Sequence, residues 1–314
     1  MINYIVKNSG SEELWDKFID NSQNGTIFHK KLFLRYHKKK FKNLIFIEFK
    51  KKNKIVGLIS GIKIKKENKY IFQSPYGASF GGIILNNKLR FNDIFTIVKS
   101  FKSFLIKNNF SRCELICTPD HLCNIKSNSL EFCFLKNNFK IDTIDISNAI
   151  LMEENFLNKV YQNKKKFLKN QKDFDFKITK DHIKFYSFLE KNLKKKFKIK
   201  PTHSKKDLGY LLKKFNNKFK IFLCFYKKKI DSAVMTIETS PNKIVLFYII
   251  NKFNSKSNSI SFLLMKILKY FKSYELIDFG TSSYLGNERS GLIHFKEEFG
   301  TSLFFKKKII LNLD

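Results

Sequence analysis

The residues best equipped for chemistry lie between positions 276 and 305, where LIDFG is followed by the polar loop TSSYLGNERS, the segment GLIHFKEEFG and the alternating run SLFFKKKIIL. A strand ending in Asp-Phe-Gly, a loop of hydroxyls and charges, and a helix returning to a strand outline an active-site corner. On a helical wheel Leu292, Phe295 and Phe299 share one face, Lys296 stands at its edge, and Glu297 and Glu298 point more toward solvent. A lysine beside a core stripe either snorkels to water or reaches into a pocket. Asp278 and Glu238 are the carboxylates nearest predicted strand ends. Either can deprotonate an amine through water, and each can equally cap a helix or face the ladder.

Earlier, SPYGASFGG sets Gly77, Gly81 and Gly82 around Tyr76 and Phe80. Glycines there permit positive φ and close backbone approach, which suits a loop lining a cleft as well as an ordinary tight connection. The histidines pair with no serine or cysteine at the spacing of a hydrolytic triad. Cys113 and Cys117 flank Leu115 on one strand face, and the five cysteines lack the tight paired spacing of a zinc site. They read as reduced, buried thiols of a cytoplasmic protein that lacks a secretory signal.

The elements that must position these residues come in two rounds. Strands are predicted over 43–49 and 54–65 around the turn KKKN, then over 69–73, followed by a helix over 92–107 with apolar residues at helical spacing, the strand CELIC, and a closing edge over 135–146. The second round has a hairpin over 220–226 and 230–238, a strand over 243–250, a helix over 259–271 capped by NSKSNS, the strand ELIDFG, a helix and a last strand. Residues 153–172, acidic at the start and basic at the end, predict a basic connecting helix. The domains are therefore expected at 1–150 and 151–314.

With 314 residues, 43% of them hydrophobic, the chain can bury two cores, which excludes wholesale disorder. The net charge of +34 would attract phosphates or anionic lipid, yet all but four of the 61 basic residues are lysine. Lysine lacks the bidentate fork of arginine, and the abundance of Phe, Ile and Asn fits codon drift toward A and T, so a solvated lysine surface stands beside a polyanion-binding one. The longest apolar run, 244–250, falls far short of a membrane span.

The order of hairpin, strand, helix entered through a polar loop, strand, helix and strand resembles the GNAT acyltransferase fold. Two such units in tandem resemble the FemABX-type aminoacyltransferases and the double-GNAT acetyltransferases of envelope polysaccharide pathways. GTIFHKKLFLRYH, QSPYGASFGG, DFG with GLIHFKEEFG, and the basic stretch KVYQNKKKFLKNQKDFDFKI carry the likeness over nearly the whole chain. The resemblance implies an α/β (α+β) fold of two tandem GNAT-like mixed sheets flanked by helices. It implies an N-acyltransferase acting on an amine of a cell-envelope precursor, an amino sugar or a muropeptide. The donor it implies is acyl-CoA as a co-substrate, or aminoacyl-tRNA in the FemABX alternative, with no tightly bound cofactor and no metal. A cytoplasmic protein peripheral to an anionic membrane surface fits this reading.

By the same resemblance, a backbone N–H on the central strand 245–251, including Ile249 and Asn251, polarises the donor carbonyl. The coenzyme A pyrophosphate would rest on the next helix start at Ser255, Lys256, Ser257 and Asn258, although the glycine-rich, arginine-led turn is missing there and the serines also suit plain N-capping. Tyr284 falls where the family places a proton donor for the leaving group, and Lys296 matches a lysine that faces the family's substrate cleft. The site is expected in a cleft formed by the central strand of the second unit, Tyr284, Lys296 and the loop of Tyr76, Gly77, Phe80, Gly81 and Gly82. A different class remains open, a basic RNA- or lipid-binding protein without catalysis.

Overall fold

A computed structural model of the protein describes residues 2–7, 11–169 and 172–313. It contains two compact units, the first running to Ile146 and adding Leu285–Asn287 and the stretch from Phe304, the second holding Ser147–Tyr284 and Glu288–Leu303.

The first unit opens with β1 (Ile2–Lys7), α1 (Glu12–Asp20) and α2 (Lys31–Leu34). Then come β2 (Leu44–Lys51), β3 (Lys54–Lys66), β4 (Lys69–Ser74), β5 (Ile84–Leu85), α3 (Phe91–Lys107), β6 (Arg112–Ile116) and α4 (Ser129–Lys136), leading to β7 (Lys140–Leu151). The β2–β3 hairpin turns through Lys52 and Asn53, both at positive φ, the geometry that matches strand twist in a two-residue turn. Helix α3 buries Ile94, Ile97, Val98, Phe101, Phe104 and Leu105, the stripe its spacing predicts, against Ile47, Phe49, Ile59 and Phe72 of the sheet.

The second unit runs through α5 (Gln162–Lys165), β8 (Phe174–Thr179), α6 (His182–Phe197), α7 (Lys205–Lys214), β9 (Phe219–Tyr226), β10 (Lys229–Ser240) and β11 (Lys243–Asn251). It continues with α8 (Ser259–Tyr270), β12 (Leu276–Thr281), the two-residue strands β13 (Ser283–Tyr284) and β14 (Asn287–Glu288), and α9 (Ser290–Glu297), before β15 (Ser302–Asn312). The β9–β10 turn repeats the first hairpin's device, with Lys227 and Lys228 at positive φ. Helix α8 is buried along most of its length, with Phe262, Leu263, Leu264, Met265, Ile267 and Leu268 in the core of this unit.

Strand pairing is mixed in each unit. In the first, β1, β2, β3 and β4 are antiparallel, β4 runs parallel to β6, and β6 pairs with β15. In the second, β8, β9, β10 and β11 are antiparallel, β11 is parallel to β12, and β12 pairs with β7 from Ser147 onward. Within the first unit β6 is thus bordered by the chain's last strand, and within the second β12 is bordered by residues 147–151 of β7. Strand alternation reports which face is buried and not which neighbour is paired, so the sequence offers no sign of these pairings. Residues 135–146 also differ from a single edge strand, because α4 runs to Lys136 before β7 begins at Lys140.

The connecting helix expected over 153–172 is instead a series of short turns, 3₁₀ at Phe156–Lys159, α-helical at Gln162–Lys165 and 3₁₀ at Lys166–Leu168; residues 170 and 171 lie outside the described ones. Tertiary contacts override the helical spacing. Val160 is extended and the Tyr161 N–H donates to the Glu298 carbonyl beyond α9, instead of joining a helical ladder. Lys164, buried, pairs with the Glu298 carboxylate at 3.0 Å and lies over the rings of Phe295 and Phe299, so Glu298 faces this segment and not open solvent.

Gly300 makes that approach possible: at φ +79°, a Cβ on it would meet the backbone carbon of Lys159 at 2.9 Å. Gly300→Ala combines a left-handed conformation with backbone overlap, and a loss of about 2 kcal/mol is expected. Gly291→Ala, inside α9 with open space around its Cβ position, is expected to be neutral or stabilising. Urea midpoints of the two variants, at unchanged slope, check the contrast.

Candidate active site

The parallel pairing of β11 and β12 extends from Lys243 opposite Leu276 to Val245 opposite Asp278, while β11 continues to Asn251 and β12 to Thr281. On its other side β11 carries a bulge, since Met235 faces Tyr248 and Thr236 faces Leu246, leaving Phe247 as the extra residue. A cavity of about 470 Å³ lies by this stretch. Its wall is apolar, from Leu246, Ile249 and Ile250 of β11, Ile260 and Leu264 of α8, Phe279 of β12, and Leu292 and Phe295 of α9, with Asn251, Thr281 and Lys296 as polar members. Lys196 and Phe197, at the end of α6, also line it.

Lys296 is buried, and its ammonium donates to the Gly280 carbonyl at 2.6 Å, the Ser282 hydroxyl at 2.8 Å and the Thr281 carbonyl at 3.3 Å. Three acceptors match the three protons of an ammonium. Burial lowers its pKa from 10.5 to about 8, and Asp278 works in the opposite direction.

The Asp-Phe-Gly sequence builds this seat. Asp278, buried at the strand end, accepts from the Ser147 hydroxyl at 3.0 Å and from the Gly280 N–H. The ladder to β7 shifts register between Asp278 and Thr281, and Gly280 takes φ +79°, a turn that suits glycine. The Ser282 hydroxyl donates onward to Asn148, whose amide donates to Thr301 at 3.0 Å. Ser147, Asn148, Ser282 and Thr301 carried no sequence signal, because their roles arise only when β7 and β12 pair.

The remaining expected residues are dispersed. Ile249 and Asn251 line the cavity with Lys296. Tyr284 is 63% exposed in β13 and is not among the lining residues. Glu238 pairs with Lys218 at 2.7 Å and sits opposite Ile244, toward the closed end of the β11–β12 pairing. Asp278 holds backbone and serine donors and does not line the cavity.

The loop of Tyr76, Gly77, Phe80, Gly81 and Gly82 belongs to the first unit and is engaged there. Tyr36 donates to the Gly77 carbonyl, and a Cβ at Gly77 would overlap the His37 ring, which Tyr76 adjoins. Phe80 packs edge-on against Phe28; the Gly81 N–H donates to Ile116, and the Gly82 N–H to the Ser74 hydroxyl. Its glycines serve close packing. The cysteines of this unit are free thiols, and burial pushes Cys117 up to about 12, which leaves it a poor nucleophile.

The start of α8 departs most from an anion-binding helix terminus. Asn258, its exposed N-cap, makes no side-chain capping bond, and Lys256 is exposed. The hydroxyls of Ser255, Ser257 and Ser259 all donate to one oxygen of Asp231, each within 2.7 Å. The Ser257 and Ser259 N–H groups are in turn taken by the hydroxyls of Ser255 and Ser257. Burial opposes the Asp231 charge, but the three serines and Lys252 outweigh it and hold the carboxyl below its ordinary value. A carboxylate of the protein itself therefore occupies the place where an anionic ligand would meet this helix. Asp231 carries no signal in the sequence, because it stands 24 to 28 residues from its serines.

No family model matches the sequence, and no curated protein matches it. Among solved structures, FemX superposes with a TM-score of 0.70 at 11% identity, covering 98% of this chain and 97% of that one. L-PGS from Bacillus licheniformis gives 0.59 at 10% identity over 96% and 91%. A tandem GNAT protein from the clavulanic acid biosynthesis pathway gives 0.55 at 6% identity over 99% and 98%. At these identities the likeness is one of fold, and the fold is GNAT-like.

The perturbed Lys296 has a consequence measurable without substrate. Between pH 8 and 10.5 the unfolded chain holds a proton on this lysine that the folded chain has lost, so this group makes the native state relatively more stable as pH rises through that window. Relative to Lys296→Met, the melting temperature of the wild type is expected to improve from pH 7.5 toward pH 10 (about the window given by the shift). A constant difference would show that the lysine is not perturbed.

Proposed function

We propose that the protein is an N-acyltransferase that moves an aminoacyl group, carried as an ester on tRNA, to an amine of a cell-envelope precursor such as a muropeptide or amino sugar. The observation that carries the reaction class is Lys296, an ammonium buried in an apolar cavity where β11 and β12 part company. Attack of an amine on an ester carbonyl places negative charge on the carbonyl oxygen, and a pre-positioned donor in a low-dielectric wall favours that state. The 3.3 Å contact of Lys296 to Thr281 is the weakest of its three, hence the one a developing oxyanion would replace. The amine gives up its proton and the departing ribose hydroxyl gains one. Positioning in the cavity supplies the remainder, without a covalent enzyme intermediate.

Asp231 supports the RNA ester over the coenzyme A thioester. A pyrophosphate seated at the start of α8 would meet a carboxylate already holding the three serine hydroxyls, and like charges that close repel strongly. Amine acceptors remain those of the envelope pathways that the resemblance suggests.

Transfer assays with the full chain test this reading, using aminoacyl-tRNA and acetyl-CoA as competing donors to a muropeptide or amino-sugar amine. Transfer is expected from the RNA ester, with Lys296→Ala lowering turnover at least about tenfold and Tyr284→Phe within about twofold of wild type. Because the protonated lysine is the donor, turnover should decline as pH rises through about 8. Saturable transfer from acetyl-CoA would overturn the donor assignment. Undiminished turnover in Lys296→Ala would overturn the site, and absence of transfer from any donor would leave a basic binding protein.

A further inference from the structure

The cavity that holds Lys296 is larger than the chemistry of that lysine requires. At about 470 Å³ it falls in the size range of sites that enclose a whole small molecule. An oxyanion and the amine attacking it occupy a few atoms beside the ammonium, and the rest of the space faces hydrocarbon. Leu264 of α8 and Phe279 of β12 are buried core residues, whereas Ile260, Leu292 and Phe295 are half-buried and leave apolar surface toward the space.

Packing behind the wall holds it in place. Phe299, fully buried, packs against two of its rings, with Phe279 at 5.7 Å and Phe295 edge-on at 5.3 Å between centroids, and the Lys164 ammonium lies 5.1 Å from the Phe295 ring. The polar members are Asn251, Thr281, Lys196 and Lys296, with no carboxylate among the described residues that line the cavity. Each kind of side chain on a transferred aminoacyl group meets such a wall differently. An aliphatic or phenyl side chain exchanges water for hydrocarbon over its whole surface. A glycyl or alanyl group leaves most of the wall uncovered. A lysyl ammonium finds two lysines and no acid. A glutamyl carboxylate competes for the Lys296 proton, weakly held by Thr281, that the oxyanion needs. The adenosine at the donor's 3′ end carries ring nitrogens and hydroxyls that two uncharged polar residues cannot satisfy, which makes it a poor occupant.

We infer that this cavity selects the transferred group and takes aminoacyl groups with a bulky apolar side chain, of leucyl to phenylalanyl size. The inference rests on the RNA-ester reading of the donor. In the transfer the acyl carbon gives up the ribose oxygen for the acceptor nitrogen, and one proton passes from that nitrogen to the ribose hydroxyl. The side chain takes no part in the bond changes; burying it holds the carbonyl beside Lys296.

The full-length protein is offered one tRNA species charged in turn with leucine, phenylalanine, alanine, lysine or glutamate, with the same acceptor amine, and kcat/KM is measured for each. A methylene withdrawn from an apolar pocket costs about tenfold or more, so leucyl is expected to exceed alanyl by at least about a hundredfold, with lysyl and glutamyl below alanyl. Leu292→Trp and Ile260→Trp, on different helices, narrow the cavity, and each should lower the leucyl-to-alanyl ratio at least about tenfold. A ratio cancels any loss of folded protein. A wild-type ratio near one overturns the inference while the donor reading stands. So do equal losses of leucyl and alanyl transfer in both variants, which would put the adenosine in the cavity. Absence of transfer from every charged tRNA overturns both.

Discussion

An ammonium taken out of water must find oxygen acceptors on every proton, and around Lys296 that demand organises a large part of the second unit. Its seat consists of two successive carbonyls and a hydroxyl at the end of β12. Those acceptors face it because β12 leaves regular pairing after Asp278, and Gly280 adopts a conformation that other residues resist. Asp278 ties the irregular backbone to Ser147, and Asn148 ties Ser282 to Thr301. A network satisfied at each member holds the lysine in one position.

The same requirement reaches the helix that carries the lysine. Helix α9 is short, so its position depends on what holds its end. The segment 156–168 does this through the Tyr161 N–H, the Lys164 to Glu298 pair and the close approach at Gly300. Breaking what would otherwise be a continuous helix is the structural consequence. The local preference for helix is worth only tenths of a kcal/mol per residue, so hydrogen bonds and close backbone packing fixed by the fold override it.

Charge is distributed with the same logic at larger scale. A net charge of +34 makes any internal carboxylate a strong local feature. Asp231, with three hydroxyls converging on it, occupies the start of α8 from within the protein. The composition supplied the aspartate and the serines, but only the fold brings them together.

The strand and helix order was legible because hydrophobic periodicity is a local property: residues two apart share a strand face, and residues three and four apart share a helix stripe. Both hairpins, α3 and α8 fall where that spacing predicts. Lys296 was legible too, since its place at the edge of the Leu292, Phe295 and Phe299 face follows from the wheel. The pairings of β7 with β12 and of β15 with β6, the seat at Gly280 and Ser282 and the Asp231 cluster were not. Each joins residues tens of positions apart through a hydrogen bond or a shared wall, and such partners leave no period along the chain. The sequence by itself determined the elements, the repeated GNAT-like order and one lysine beside a core. Tertiary structure decided which oxygens hold that lysine and which carboxylate gathers the serines before α8, because satisfaction of a buried charge depends on distance in space.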